Sequence, residues 1–125
     1  MTQFSLDMSK FNEKVMSLGN IAVRKICIEL TTAVIVKTPR KTGRAQSNWF
    51  ASVGMPENRT TDVIEGSAIS VVARETKIAD SAYGNVYWLS NNLPYIERLE
   101  YGYSKQAPAG MARLSIEEVK RHYTS

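Results

Sequence analysis

A long apolar repeat near the start of the chain limits the folds that it can adopt. Hydrophobic side chains recur at steps of three and four residues over residues 9–37, the spacing that places them along one side of an α-helix. The stripe consists of Phe11, Val15, Leu18, Ala22, Ile26, Ala33 and Val36, and it is widened by Val23, Leu30 and Val34. We predict one long helix here, with Gly19 as a point where it can bend or break.

The predicted helix has plausible signals at both of its ends. Ser9 is a residue type that caps helix N-termini, and Thr38 is displaced from helical geometry because Pro39 follows it. At 1.5 Å per residue such a helix would be about 43 Å long. That is more than a chain of 125 residues needs, so we expect part of it to pack on another subunit.

The remaining elements are short. Alternation of apolar residues predicts strands around Trp49, Ala51 and Val53 and over residues 85–90. Ser67 caps a helix predicted to end near Asp80, although the consecutive valines at 71 and 72 keep a strand open as an alternative. Residues 54–66 read as a mobile loop.

Two more helices are predicted in the last third of the chain. Asn92 and Pro94 suit the start of a short helix over residues 93–101, and Gly102 suits its end. Ser115 and Glu118 form a capping-box pattern, which predicts a final helix over residues 116–123, with residues 111–114 extended before it. The order of elements predicts a single α+β domain over residues 1–125, in which the long helix packs on a small antiparallel sheet.

Titratable groups give little support to catalysis. Cys27 lies in an apolar helical stretch, and the single histidine, His122, is three residues from the end. One Cys and one His are too few for a typical zinc site, and no phosphate-binding glycine motif occurs. Glu97 and Glu100 read as a solvated helix face. We therefore expect no enzyme activity, no metal and no cofactor, and we expect no targeting segment and no membrane span.

Positive charge is concentrated around one turn. The chain has a net charge of +4, and no carboxylate occurs between Glu29 and Glu57, while Lys37, Arg40, Lys41 and Arg44 lie within eight positions. With Trp49 nearby, this turn could contact nucleic-acid phosphates. The other interpretation is an ionic contact with a neighbouring protein, where Arg44 could hold a carboxylate with two hydrogen bonds.

Residues 91–111 have the composition of an assembly surface. Tyr95, Tyr101 and Tyr103 stand beside Lys105, Gln106 and a run of small residues that ends at Met111. Small residues let a neighbouring backbone approach, while aromatic and long side chains anchor it. An ordinary surface loop with helix caps is the alternative.

The motifs together resemble a known family. The residues concerned are Thr38, Pro39, Thr42, Gly43, Arg44, Trp49, Asn91, Asn92, Pro94, Tyr95, Glu100, Tyr101 and Gly102. With the long helical pattern, they resemble the putative tail-component family of long-tailed bacteriophages, the neck or tail-completion proteins. The resemblance covers roughly residues 9–54 and 85–118; Lys41 stands where that family commonly has an acidic residue.

The resemblance implies a structural role in the virion. Such proteins complete or terminate the tail tube and join it to the head, as a ring of identical subunits for which we expect six copies. The implied partners are further copies of the chain, the tail-tube or terminator protein, the head connector proteins and, in passing, phage DNA. We expect synthesis in the cytoplasm of a bacterial host and a final location at the head-tail junction.

Ten residues form the predicted assembly interface, and two other classes of protein remain as rivals. The interface residues are Arg40, Lys41, Arg44, Trp49, Tyr95, Tyr101, Tyr103, Lys105, Gln106 and Met111. The first rival is a small basic DNA-binding module, which the charged turn would serve. The second is an enzyme, which would need a cleft that desolvates its acidic residues.

Overall fold

Three short antiparallel strands form the sheet on which the helices pack. The computed structural model describes residues 4–7, 19–40, 42–100 and 110–124. Strands β1 (Phe4–Asp7), β2 (Phe50–Val53) and β3 (Tyr87–Asn91) lie in the order β1-β3-β2. The helices are α1 (Asn20–Lys37), α2 (Arg44–Ser47), α3 (Ala68–Glu75), α4 (Ile96–Glu100) and α5 (Ala112–Thr124), and a 3₁₀ segment, Thr76–Ser81, follows α3. The predicted α+β class is confirmed.

The central strand β3 carries the alternation that was predicted from sequence. Tyr87 and Leu89 are buried in the core, and Trp88 between them is half-buried on the other face of the sheet. Ala51 of β2 is paired with Leu89 and belongs to the same core cluster. The opposite face is covered too, because Phe50 is buried beneath the Arg59 guanidinium, 4.3 Å from its ring centroid.

Helix α1 begins later than predicted. Gly19 has φ 90° and ψ 172°, which is outside helical geometry, and the helix starts at Asn20. The helical geometry is thus interrupted at Gly19, the residue where the sequence allowed a bend or break, and residues 9–18 lie outside the described part of the chain. The predicted end is confirmed, because Lys37 is the last helical residue and Thr38 is extended before Pro39.

The buried face of α1 is rotated relative to the predicted stripe. Val36 was placed in the stripe but is 57% exposed, and Ala22 and Ala33 are only half-buried. The core residues of the helix are Val23, Ile26, Cys27, Leu30, Thr31, Val34 and Ile35. Periodicity is a weak guide here because the seven residues that precede Lys37 carry no charge, so the sequence marks no polar face.

The middle of the chain resolves the alternative at residues 71 and 72 in favour of a helix. Ser67 caps α3 as predicted, since its hydroxyl accepts a hydrogen bond from the Ser70 N–H at 3.2 Å. Helix α3 and the 3₁₀ segment together end at Ser81, one residue beyond the prediction. Val71 and Ala79 are buried against α1 and the sheet.

The final helix starts four residues earlier than predicted, and the capping box is wrong. Helix α5 begins at Ala112, so residues 112–114 are helical rather than extended. Ser115 is buried, and its hydroxyl donates to the Met111 carbonyl at 2.6 Å. Glu118 pairs instead with Lys37, at 2.8 Å, and so links α5 to the end of α1.

Burial makes the Cys27 thiol of α1 unreactive. Cys27 lies in the core, and desolvation raises its pKa to about 12. At pH 8 the thiolate fraction is then about one in ten thousand. We expect no reaction of the native protein with a disulfide reagent such as dithiobis(nitrobenzoate) at pH 8, and one equivalent of release in urea. Fast labelling without denaturant would contradict this burial.

Candidate functional site

Four buried side-chain amides join the loops at one end of the sheet. They belong to Gln46, Asn48, Asn91 and Asn92. The Gln46 amide N–H donates to the carbonyls of Ile35 and Thr38, at 3.2 and 3.0 Å, and so satisfies two carbonyls at the C-terminus of α1. Each buried amide needs such partners, because an unsatisfied polar group in the core costs about 1–3 kcal/mol.

The same amides hold the irregular segment 54–66. Asn48 exchanges hydrogen bonds with the backbone of Thr61, accepting from its N–H at 2.9 Å and donating to its carbonyl at 3.1 Å. Asn92 donates to the carbonyls of Glu57 and Arg59, at 2.9 and 3.0 Å. The segment has no helix or strand, as predicted, but Asn48 and Asn92, which lie just outside β2 and β3, bond it at Glu57, Arg59 and Thr61. Its mobility stays a prediction.

The start of α4 differs from the prediction because Asn91, rather than Asn92, serves the turn. The side-chain oxygen of Asn91 accepts from the Leu93 N–H at 3.2 Å. The side-chain NH₂ group of Asn91 donates to the Ala45 carbonyl at 3.0 Å. Pro94 and Tyr95 lie in the turn, and α4 begins at Ile96. Asn91 therefore connects the residue 91–95 turn directly to α2.

Two arginines of the basic turn already contact groups of the same chain. Arg40 donates to the Gln46 side-chain oxygen at 2.7 Å and to the Glu65 carbonyl at 2.6 Å. Arg44 stands 3.8 Å from the Asp62 carboxylate, and its side chain is 46% exposed. An exposed pair at this distance contributes little stability, so Arg44 can exchange Asp62 for another anion. Lys41 lies outside the described residues.

Two residues of the predicted interface are core residues. Trp49 is fully buried, and its indole N–H donates to the Thr38 hydroxyl at 2.8 Å. Met111 is also fully buried at the start of α5. Neither side chain can touch a partner, so their assignment to a contact surface is wrong. Aromatic and methionine residues are common in cores as well as interfaces, and composition could not separate the two.

The exposed part of the predicted interface is smaller. Tyr95 keeps 38% of its surface accessible, beside the Asn91 and Asn92 amides that fix its turn. Tyr101, Tyr103, Lys105 and Gln106 fall outside the described residues, so their role stays a prediction. Of the ten predicted residues, the structure thus describes Arg40, Arg44 and Tyr95 as exposed.

A buried carboxylate links α4 to α5. Glu100 was expected to face solvent, but it is fully buried. Its two oxygens accept from the N–H groups of Met111, Ala112 and Arg113, at 3.1, 2.7 and 3.0 Å, and from the Arg113 guanidinium at 3.0 Å. A carboxylate among the first N–H groups of a helix satisfies donors that otherwise have no partner and complements the helix dipole.

Gly110 fits closely against this carboxylate. Its φ is 87°, and a Cβ at this position would stand 2.5 Å from the Glu100 carbonyl oxygen and 2.8 Å from Glu100 Oε2. Glu100 and Gly110 are therefore in close contact, although nine residues separate them in the sequence.

Reactive groups do not gather at this end of the molecule. The part of the chain that the structure describes holds no group of three or more His, Cys, Asp or Glu residues placed to bind a metal. His122 is exposed on α5, with Nδ1 3.2 Å from the Glu29 carboxylate. What the amides and Glu100 do create is a set of firmly held loops, the usual setting for a recognition surface.

Comparison with known proteins leaves this site without a precedent. No family model, no curated protein and no solved structure matches the chain. Within the described ranges, no helix is both long and apolar enough to cross a bilayer. The resemblance to phage tail components therefore rests on the sequence motifs alone.

Removal of the Glu100 carboxylate should destabilise the fold strongly. We expect Glu100→Ala to lower the free energy of unfolding by about 2–4 kcal/mol, because three backbone donors and Arg113 lose their acceptor. Glu97→Ala, on the same helix but half-buried, should change it by less than about 0.5 kcal/mol. Urea titrations followed by circular dichroism measure both. Equal effects of the two substitutions would contradict the cap.

The close fit at Gly110 can be separated from its backbone strain. Gly110→Ala and Gly54→Ala both place alanine at positive φ, at 87° and 85°, which costs roughly 1–2 kcal/mol. A Cβ at Gly54 meets no atom within 4 Å, whereas at Gly110 it collides with backbone. Urea titration should show Gly110→Ala as the more destabilising by at least about 1 kcal/mol. Equal losses in the free energy of unfolding would mean that Glu100 can shift at little cost to make room for a Cβ at residue 110.

Proposed function

We propose that the protein is a structural component of a phage neck, completing or terminating the tail tube and joining it to the head as a ring of identical subunits. One observation carries this proposal beyond the motifs themselves. The Asn91 amide donates to the Ala45 carbonyl at 3.0 Å, which brings the basic turn and the residue 91–95 turn together although 46 positions separate them. This hydrogen bond joins the turns that carry two of the motifs, and it supports their use as parts of one contact surface.

The exposed groups of that surface suit protein contact. Arg44 offers a guanidinium held only loosely by Asp62, and Tyr95 offers a half-exposed aromatic ring. Arginine and tyrosine are the side chains that interface centres favour. A stable contact needs about 800 Å² from each partner, so we expect residues 101–109 to contribute to it as well.

The proposal gives no catalytic role to two groups in the core. The thiol of Cys27 is buried with a raised pKa, and the Glu100 carboxylate is fully engaged in capping α5. Both groups are buried, so neither is placed to act on a substrate. The molecule on this view acts through shape: one face of the ring would match the tail tube, and the other would match the head connector.

The small DNA-binding module is the weaker alternative. The Arg40 guanidinium donates to the Gln46 side-chain oxygen and to the Glu65 carbonyl, and Asp62 lies beside Arg44. A phosphate-binding surface gains from uncompensated positive charge. The Asp62 carboxylate next to the turn reduces that gain.

The decisive test uses a phage that carries the variant chain. We expect Arg44→Glu and Tyr95→Ala to leave the subunit folded but to yield unjoined heads and tails in electron micrographs of lysates. Tyr101→Ala should do the same if residues 101–109 complete the surface. Lys77→Glu, an exposed change in the 3₁₀ segment, is the control and should give normal particles.

Two results would overturn the proposal. Normal infectious particles from all three interface variants would show that this surface is not needed to join heads and tails. Salt-dependent binding of duplex DNA, lost on charge reversal at Arg40, Lys41 and Arg44, would favour the alternative.

A further inference from the structure

Strand β2 is an edge of the sheet, and its outer backbone groups alternate along the strand. Gly54 donates its N–H to the Val86 carbonyl on the β3 side, at 2.8 Å, which places the backbone groups of residues 50 and 52 towards β3. Residues 49, 51 and 53 therefore direct their N–H and carbonyl groups away from the sheet. An edge of this kind is a template on which another strand can pair.

Two adjacent side chains occupy part of this edge. The Glu75 carboxylate accepts from the Ala51 N–H at 2.8 Å, and the Arg74 guanidinium donates to the carbonyls of Ser47 and Trp49, each at 2.9 Å. Arg74 Nε also donates to the Glu75 carboxylate, which is almost wholly buried. We name Arg74 and Glu75 the edge plug, because they stand where the N–H and carbonyl groups of a neighbouring strand would otherwise lie.

The rest of the edge opens into a groove. The Ala51 carbonyl and both backbone groups of Val53 make no hydrogen bond with the described part of the chain. A groove of about 700 Å³ runs along this edge. Its lining includes Thr60, Thr61 and Val63 of the irregular segment and Ile78 and Ser81 of the 3₁₀ segment.

The opposite edge of the sheet is the natural complement. Among the described helices and strands, β1 makes extensive contact with β3 alone. Pairing of two β2 edges is disfavoured, because residues of the irregular segment and of the 3₁₀ segment line the groove at each of them. The outer edge of β1, which contacts chiefly β3 among the described elements, could enter the groove of another copy.

We propose that the groove along β2 receives strand β1 of a second copy of this chain, and that the edge plug restrains this pairing in the free subunit. Both strands run antiparallel to β3, so a sheet continued from copy to copy would pair β2 with the next β1 in parallel. Such a contact is head to tail, and it produces a closed ring or an open chain. It concerns the sheet edges alone, so it stands or falls separately from any place in a virion.

The test compares the full-length protein with plug variants in solution. Glu75→Ala removes the acceptor for the Ala51 N–H, and Glu75→Gln keeps an oxygen there as the matched control. We expect sedimentation velocity over a concentration series to show at least tenfold tighter self-association for Glu75→Ala than for the wild type. Glu75→Gln should stay close to the wild type. Circular dichroism confirms that each variant is folded, and Arg74→Ala serves as a second way to open the edge.

Proline substitutions identify the strands that pair. Val53→Pro removes an outward N–H from β2, and Ser5→Pro does the same for β1, where residues 5 and 7 direct their backbone away from β3. Added to Glu75→Ala, each should return the protein to wild-type sedimentation. In the Glu75→Ala single variant, the Val53 amide should be protected from hydrogen exchange at high protein concentration only.

Three outcomes would overturn the inference. The first is unchanged sedimentation of folded Glu75→Ala and Arg74→Ala. The second is self-association that survives both proline substitutions, which would indicate non-specific aggregation. The third is association blocked by Val53→Pro but not by Ser5→Pro, which would show that some other segment enters the groove.

Discussion

The Thr38 hydroxyl is the joint on which the packing of helix against sheet depends. It donates to the Val34 carbonyl in the last turn of α1, at 2.7 Å, and accepts from the Trp49 indole, at 2.8 Å. One buried group thus fixes the end of the helix against the start of β2. The carbonyl of the same residue accepts from Gln46, so the short α2 is held by the same joint. A hydrophobic contact could not set this register, because burial alone has no direction.

Local signals in the sequence predicted the parts of the fold that local physics decides. Pro39 ends α1, Ser67 begins α3, and alternation around Leu89 gives β3, because each depends on neighbours within a few residues. The errors arose where distant partners decide. Glu100 looked solvated until Met111, Ala112 and Arg113 met it, and the burial of Gln46 depends on carbonyls eight and eleven positions away. The predicted orientation of α1 was wrong for another reason, because the helix is apolar on more than one side.

The candidate surface was predictable only in part, because residue type alone does not separate interface residues from core residues. Arg40, Arg44 and Tyr95 were identified from charge and aromatic character, and they are exposed. Trp49 and Met111 were chosen as large anchoring side chains but lie inside, because a large apolar group is equally suited to a core. Several residues that carry the family resemblance, such as Thr38, Asn91 and Glu100, are buried hydrogen-bonding groups. The motif therefore describes the frame that holds the loops, and under the proposed function recognition would fall to the exposed residues between them.

The edge plug shows how such a frame can also limit self-association. Arg74 and Glu75 are attached to the chain next to the groups they satisfy, so their local concentration at the β2 edge exceeds that of any strand from another molecule. Hydrogen bonds to charged groups contribute about 1.5–3 kcal/mol each, more than a neutral strand pairing provides. A second copy therefore gains at β2 only when further surface binds with it. Pairing at the edge would then follow correct docking of whole subunits, and stray contacts between single strands would fail to persist.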